Sequence, residues 1–151
     1  MHIEKIVESI CRKFQTRNPF EIAGYLNIEV LFEQLGSIKG YYNKAFRQKM
    51  IHLNQDLEYE DSKRTCAHEL GHVVLHPESN TPFLRADTLF PIGKYEREAD
   101  YFAVDLLYSD DDMEEYLQYS APEIASCLNL NIQLVEYRLS IMPKGRYYMG
   151  D

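Results

Sequence analysis

Apolar residues recur at helical spacing in the first stretch of the chain, and the pattern then changes. Residues 2–16 repeat them every three or four positions, which predicts an amphipathic helix. A second short helix should begin at Asn18, because an asparagine followed by Pro19 is a typical helix start. Three short runs rich in β-branched and aromatic residues predict a small antiparallel sheet of three strands. These runs are IEVLFEQ, IKGYYNKAF and KMIHLN.

The rest of the pattern is helical, with one interruption. A long helix should begin between residues 56 and 61 and end at His76, where Pro77 stops it. Residues 77–94 contain three prolines and little periodicity, which predicts a loop. Another helix follows in KYEREADYFAVDLLYS, and residues 110–142 should form further short helices. This order of helices, sheet and helices predicts an α+β fold.

Composition indicates a single globular domain over residues 1–151. The chain is 45% hydrophobic and 26% charged, which is ordinary for a domain with its own core. No apolar run approaches the roughly 18–20 residues that cross a bilayer, and the N-terminus has no apolar signal-peptide core. Three cysteines, odd in number and far apart, favour reduced thiols. We therefore expect a cytoplasmic protein that does not bind membranes.

The net charge of −8 argues against a protein that binds nucleic acid through a broad basic face. One segment nonetheless resembles a helix-turn-helix frame, SAPEIASCLNLNIQLVEYRLSIM. Its possible recognition helix is apolar at helical spacing, and Arg138 is its only cation before Lys144. We interpret the segment as packing helices or a substrate-docking surface, and DNA binding is the alternative.

Three of the five histidines lie in the segment CAHELGHVVLHP. His68 and His72 are four positions apart, so on a helix they lie one turn apart on the same face. Two imidazoles so placed can bind one tetrahedral zinc ion. Glu69, about 100° round the helix from His68, can take a proton from a metal-bound water, the nucleophile of a zinc hydrolase. The alternative is a pair of ordinary histidines with local hydrogen bonds, but the apolar neighbours make that costly.

A catalytic zinc site needs a third protein ligand and an open fourth position. His76 has drifted about 80° round the helix from His68, so it should cap the helix or form hydrogen bonds behind the ligands. Glu96 on the next helix can bind the metal, while Asp100, one turn on, accepts the other N–H of a ligand histidine. Glu98 is the competing ligand; otherwise it should face solvent or other neighbours. The alternative to a metal ligand at either Glu96 or Glu98 is that these acids form a solvated face of the helix.

The pair of segments AHELGHVVLH and YEREADYFAVDLL resembles the ImmA/IrrE family of metallo-endopeptidases, over roughly residues 18–140. Members of this family show Ala-His-Glu-Leu-Gly-His, a further histidine four positions on, and then a helix with Glu-x-x-Ala and Phe-Ala. The resemblance favours Glu96, three positions before Ala99, over Glu98 as the third ligand. The segment LLYSDDD departs from the Leu-Leu-Met-Pro of many members, which should alter the helix end rather than the chemistry.

The resemblance also implies a function. It implies a zincin-like fold and a cytosolic zinc endopeptidase with one Zn²⁺ per chain, bound by His68, His72 and Glu96. Members occur in bacteria, phages and integrative elements, often beside a helix-turn-helix repressor that they cleave or inactivate. An XRE-like repressor is therefore the implied substrate, and derepression of a phage or mobile element the implied outcome. The alternative is a zinc-containing regulatory protein that binds a repressor or DNA without cleavage.

Overall fold

The computed structural model describes residues 2–78 and 92–143. The chain divides into two compact units, Met1–Leu107 and Tyr108–Asp151, and one domain over residues 1–151 stays a prediction. Most of the predicted loop 77–94 lies outside the described residues. Its last part belongs to a helix, which begins earlier than the sequence pattern indicated. No helix among the described residues has both the length and the apolar character needed to span a membrane.

The first unit contains helices on either side of a short run of strands, and the described part of the second contains helices alone. The elements of the first unit are α1 (Ile3–Phe14), α2 (Pro19–Tyr25), β1 (Glu29–Glu33), β2 (Gly40–Ala45), β3 (Gln48–Asn54), α3 (Tyr59–Leu75) and α4 (Ile92–Leu107). Those of the second are α5 (Asp110–Glu114), α6 (Ala121–Leu128) and α7 (Ile132–Ser140). This order confirms the predicted α+β class.

Local signals in the sequence account for several helix ends. Asn18 caps α2: its side-chain oxygen accepts hydrogen bonds from the backbone N–H groups of Phe20, at 2.9 Å, and Glu21, at 3.4 Å. Pro19 occupies the first helical position, where a backbone N–H would have no partner within the helix, so its absence in proline costs no hydrogen bond. Helix α3 ends just before Pro77, because proline cannot donate the next hydrogen bond of the helix. These features confirm the predicted start of α2 and the predicted end of α3 at Pro77.

The sheet is mixed, so the prediction of a wholly antiparallel sheet is wrong. Its strand order is β1-β3-β2, with β2 antiparallel and β1 parallel to β3. The chain between β1 and β2 crosses to the far side of β3 instead of turning back as a hairpin. Ile51 and Leu53 of β3 are both completely buried, and the central position covers this most deeply buried strand on both edges. The sequence pattern identified the strands, but it did not give their order.

One hydrophobic core holds the first unit together, and helix α3 contributes much of it. The core residues of α3 are Cys66, Ala67, Leu70 and Val73. They pack with Ile22, Ile51, Leu53, Phe102 and Leu106 from the helices and strand around them. Helix α3 contacts both α4 and strands β2 and β3. The histidines of α3 are therefore carried by a helix that packing fixes in place. The second unit has its own small core, formed by Met113, Ile124, Val135, Leu139 and Met142.

Candidate metal centre

The two histidines of the His-Glu-x-x-His motif lie side by side on α3, as their spacing predicts. The ring centroids of His68 and His72 are 4.9 Å apart and the rings are nearly perpendicular. His72 is almost completely buried, with 1% of its surface exposed, and His68 is partly buried. Both rings are turned toward α4, where an acidic residue meets them.

Helix α4 places Glu96 against both histidines. One carboxylate oxygen, Oε2, is 2.8 Å from His68 Nε2, and the other, Oε1, is 3.2 Å from His72 Nε2. The ligand atoms of these three residues all lie within 4.8 Å of one another. Two imidazole nitrogens and one carboxylate oxygen form the donor set of a common class of catalytic zinc sites.

Hydrogen bonding at His72 fits a metal ion at this position. Both ring nitrogens of His72 are buried, and neither makes a hydrogen bond within the described part of the chain. The contact of Nε2 with Glu96 is thus electrostatic rather than a well-formed hydrogen bond. A buried imidazole without hydrogen bonds is costly, and a metal ion bound to Nε2 would account for that nitrogen.

The electrostatics of His68 and Glu96 favour a positive charge between them. Burial opposes the protonated form of His68, but hydrogen bonds to Asp100 and Glu96 outweigh it and raise the pKa of His68 to about 10. Burial likewise opposes the charged form of Glu96, yet its contacts with His68 and His72 hold the pKa of that carboxyl well below its usual range. A cation bound here therefore meets an ionised carboxylate.

Asp100 lies behind His68, on the side away from Glu96. Its Oδ1 atom is 2.8 Å from His68 Nδ1, the ring nitrogen that does not face Glu96. Because this carboxylate holds a proton on Nδ1, Nε2 is the nitrogen whose lone pair a metal ion would use. The structure therefore brings Asp100 to the position where it can orient His68, one turn after Glu96 on the same helix.

Glu69 follows His68 on α3 and is buried, with 1% of its surface exposed. It is near enough to His68 to help raise the pKa of that imidazole. A buried carboxylate beside the two histidines can exchange a proton with a group bound between them. The role of Glu69 as a proton acceptor stays a prediction.

His76 lies apart from the three clustered residues. Its backbone N–H bonds to the carbonyl oxygen of His72 at 2.8 Å, and its ring centroid is 4.2 Å from that of Tyr95. Burial lowers the pKa of His76, although the carboxylate of Glu98 opposes this shift. No hydrogen bond among the described residues joins the ring Nε2 to another group. A supporting role for His76 behind the ligands remains a prediction.

Glu98 is buried, which the sequence pattern did not indicate. Only 8% of its surface is exposed, and one carboxylate oxygen is buried without a hydrogen bond to any described residue. Glu98 acts electrostatically on His76 and is absent from the cluster of His68, His72 and Glu96. The geometry therefore favours Glu96 over Glu98 as a metal ligand.

A His-Glu-x-x-His helix packed against a helix that supplies a carboxylate is the arrangement expected of a metallopeptidase. Residues 23–140 match the Peptidase_M78 family, the IrrE N-terminal-like domain. The chain belongs to this family, the ImmA/IrrE metallopeptidases, and the resemblance seen in the sequence is thereby confirmed.

Two relatives and one solved structure are similar to the chain. It is 32% identical to metallopeptidase ImmA of Bacillus subtilis strain 168 over 144 residues, which are 91% of this chain and 84% of that protein. It is 43% identical to the uncharacterized immunity region protein 2 of Bacillus phage phi105 over 115 residues, or 76% of this chain and 73% of that protein. A Mycobacterium tuberculosis transcriptional regulator shares the fold, with a TM-score of 0.59 and 16% identity. That alignment covers 97% of this chain and 50% of the regulator, so this chain spans half its length.

Proposed function

We propose that the protein is a zinc endopeptidase that cleaves an XRE-like helix-turn-helix repressor at a defined peptide bond. The observation that carries the proposal is the convergence of His68, His72 and Glu96 from two packed helices, with Glu69 buried beside them. Membership in a metallopeptidase family supports the same chemistry. We propose that His68, His72 and Glu96 are the ligands of one Zn²⁺ per chain.

The residues of the site can then be given roles. A zinc ion held by His68, His72 and Glu96 would polarise the substrate carbonyl and lower the pKa of the attacking water. Glu69 accepts the proton of the attacking water and passes it to the leaving amine, which would otherwise depart as an unstable anion. Asp100 keeps His68 in the tautomer whose Nε2 lone pair faces the site.

The proposed substrate rests on the family resemblance and on the relatives. The phage relative is named as an immunity region protein, and the Bacillus subtilis relative as a metallopeptidase. The family resemblance implies a helix-turn-helix repressor as the protein that such a peptidase cleaves. We propose that cleavage derepresses a phage or mobile element.

We place the reaction in the cytoplasm, because Cys11, Cys66 and Cys127 are free thiols suited to a reducing compartment.

The alternative is a zinc protein that binds a repressor or DNA without cleaving it. The helix-turn-helix frame in the sequence corresponds to α6 and α7, but Arg138 of α7 is 4% exposed. Its guanidinium donates to the carbonyl oxygen of Tyr108 at 2.8 Å and to Asp110 at 2.6 Å. The one cation of this helix is therefore used inside the second unit and is not presented to phosphates. This observation favours the peptidase over a DNA-binding module.

Co-expression with the repressor encoded beside this protein tests the proposed function. Mass spectrometry of the repressor should reveal two fragments that meet at one bond when the wild-type protein is present. The His72→Ala variant, which lacks one proposed ligand, should leave the repressor intact. A repressor that stays uncleaved by a zinc-loaded wild-type protein would contradict the proposal.

A further inference from the structure

The hairpin between β2 and β3 turns in a way that its residues do not favour. Phe46 and Arg47 form its two-residue loop, and their φ angles are 52° and 66°. A two-residue turn with both central residues in the left-handed region is the type I′ turn, which strongly prefers Asn-Gly. Large side chains are uncommon there, because the Cβ atom crowds the backbone. The hairpin therefore carries two bulky side chains at some expense to its own stability.

These side chains contribute nothing to the core of the first unit. Phe46 is fully exposed, at 104% of its reference surface, and Arg47 is also exposed. Phe46 is the most exposed of the large hydrophobic side chains described in the structure. Strained backbone that no packing contact explains is more common at functional positions than elsewhere. The loop is thus a candidate contact surface for another molecule.

The strand ends beside this loop are positively charged. Lys44 and Lys49 stand directly opposite each other in the antiparallel register, an arrangement of like charges that weakens a hairpin. Lys44 lies 3.4 Å from Glu78, but no carboxylate among the described residues forms an ion pair with Lys49 or Arg47. We call residues 44–49 the hairpin tip. It is an exposed aromatic ring surrounded by cations, on a chain whose net charge is −8.

The hairpin tip is connected to the end of the helix that carries the proposed ligands. Tyr42 of β2 donates a hydrogen bond from its hydroxyl to the carbonyl oxygen of Pro77, at 2.6 Å. Lys44 contacts Glu78, the residue that follows Pro77. Both contacts are made just after the last turn of α3, which follows His72. A protein bound at the tip would therefore be held beside the C-terminal end of this helix.

We propose that the hairpin tip is a docking surface for the folded protein substrate, at a site separate from the bond that is cleaved. This proposal rests on the proposed function. The substrate face that fits has an apolar pocket for Phe46 with acidic residues around it, because Arg47 and Lys49 form no ion pair with any described carboxylate. Aromatic and arginine side chains are the residues that most often dominate protein interfaces. Nucleic acid fits less well, since three cations on an acidic chain provide little phosphate binding.

A double substitution separates docking from folding. Phe46→Asn combined with Arg47→Gly installs the residues that a type I′ turn favours, so the melting temperature should stay equal to that of the wild type or rise. Zinc content should not change. KM for the intact repressor should rise by about tenfold or more, as expected for the loss of a dominant contact residue, while kcat stays the same. A short peptide spanning the scissile bond should be cleaved equally by both proteins.

The matched control is Tyr119→Asn, which removes another exposed aromatic ring from the second unit. It should leave KM for the intact repressor unchanged. Equal KM values for wild type and double variant would overturn the docking proposal and leave the proposed function in place. A wild-type protein that does not cleave the repressor would overturn both. Sedimentation without repressor tests whether the hairpin tip binds a second copy of this chain instead. If the wild type self-associates and the double variant does not, the tip is a contact between copies. That result would overturn substrate docking.

Discussion

Gly71 of α3 lies directly against Ala99 of α4. A Cβ atom on Gly71 would be 3.1 Å from both the Cα atom and the carbonyl oxygen of Ala99, and equally close to the Cβ atom of Phe102. Backbone atoms cannot rotate away as the end of a long side chain can, so this contact sets the separation of the two helices. His68 and His72 are on one helix and Glu96 is on the other. The glycine within the motif therefore controls how closely the ligands approach.

Substituting Gly71→Ala should weaken metal binding more than it weakens folding. The added methyl group must push the helices apart by a few tenths of an ångström, while alanine favours the helix by up to about 1 kcal/mol over glycine. The separation of the helices and the higher helix propensity of alanine have opposite effects on the free energy of unfolding. Only the separation of the helices changes the geometry of the metal site. Zinc affinity, measured by competition with a chelator, should fall while the urea midpoint of the metal-free protein moves little.

The control for this prediction is Gly24→Ala in α2, where an added Cβ would have no described atom from outside its own helix backbone within 4 Å. It should raise stability slightly, by up to about 1 kcal/mol, and leave zinc affinity unchanged. If Gly71→Ala bound zinc as tightly as the wild type, the close contact of the two helices would not be what sets the site geometry.

The contact of Asp100 with His68 predicts a graded loss of metal. Asp100→Asn keeps the size of the side chain but weakens its acceptor, so His68 is less firmly held with Nε2 toward the site. Zinc affinity should fall by about 10–100-fold, the range for partners that orient a ligand histidine. Asp61→Asn, at an exposed acid of α3, is the control and should have no effect. Equal affinity in the two variants would show that Asp100 does not orient His68.

Glu96 and Glu98 should respond differently to the same substitution. Glu96→Gln removes a proposed ligand charge and should lower zinc affinity by orders of magnitude. Glu98→Gln should retain about one zinc ion per chain, because Glu98 is outside the cluster. Since one oxygen of Glu98 is buried without a hydrogen bond to any described residue, neutralising Glu98 should leave stability unchanged or raise it by about 1 kcal/mol. Metal analysis and urea unfolding measure the two quantities. The opposite pattern of zinc loss would mean that the register of α4 is misassigned.

Cys66 provides a chemical test of the packing of α3. It is completely buried in the core, and burial, with a smaller contribution from Glu69, raises the pKa of its thiol to about 12. Cys127 is exposed. A thiol reagent applied to the folded protein at about pH 8 should therefore modify Cys127 first, since the thiolate is the reactive form. Cys66 should react only after unfolding in urea. Rapid modification of Cys66 in the folded protein would place this face of α3 at the surface.

Features encoded over a few neighbouring residues could be predicted from the sequence. The start of α2 at Asn18 and the pairing of His68 with His72 depend on spacing within one or two helical turns. The mixed sheet could not be predicted, because strand order depends on which strand packs most deeply, a property of the whole core. The burial of Glu98 was missed for a similar reason. An acidic residue is ordinarily assigned to the surface, and only the packing of α4 shows that this one is enclosed.

The backbone conformation of the β2–β3 hairpin loop could not be predicted from the sequence either. Phe46 and Arg47 occupy positions where Asn-Gly is the usual signal, so their left-handed backbone had no local indication. Glu96 was favoured over Glu98 by the family resemblance, whereas spacing alone left both open. The structure supplies the distances, 2.8 Å to His68 and 3.2 Å to His72, that distinguish Glu96 geometrically.

The most direct test of the proposed zinc endopeptidase activity compares the wild type with Glu69→Gln, each purified and incubated with the intact repressor. Zinc content and repressor fragments are measured on the same samples. Both proteins should hold about one zinc ion per chain, because Glu69 is not a proposed ligand. Only the wild type should produce the two fragments, since glutamine cannot accept the proton of the attacking water. Cleavage at an equal rate by zinc-loaded Glu69→Gln would contradict the account.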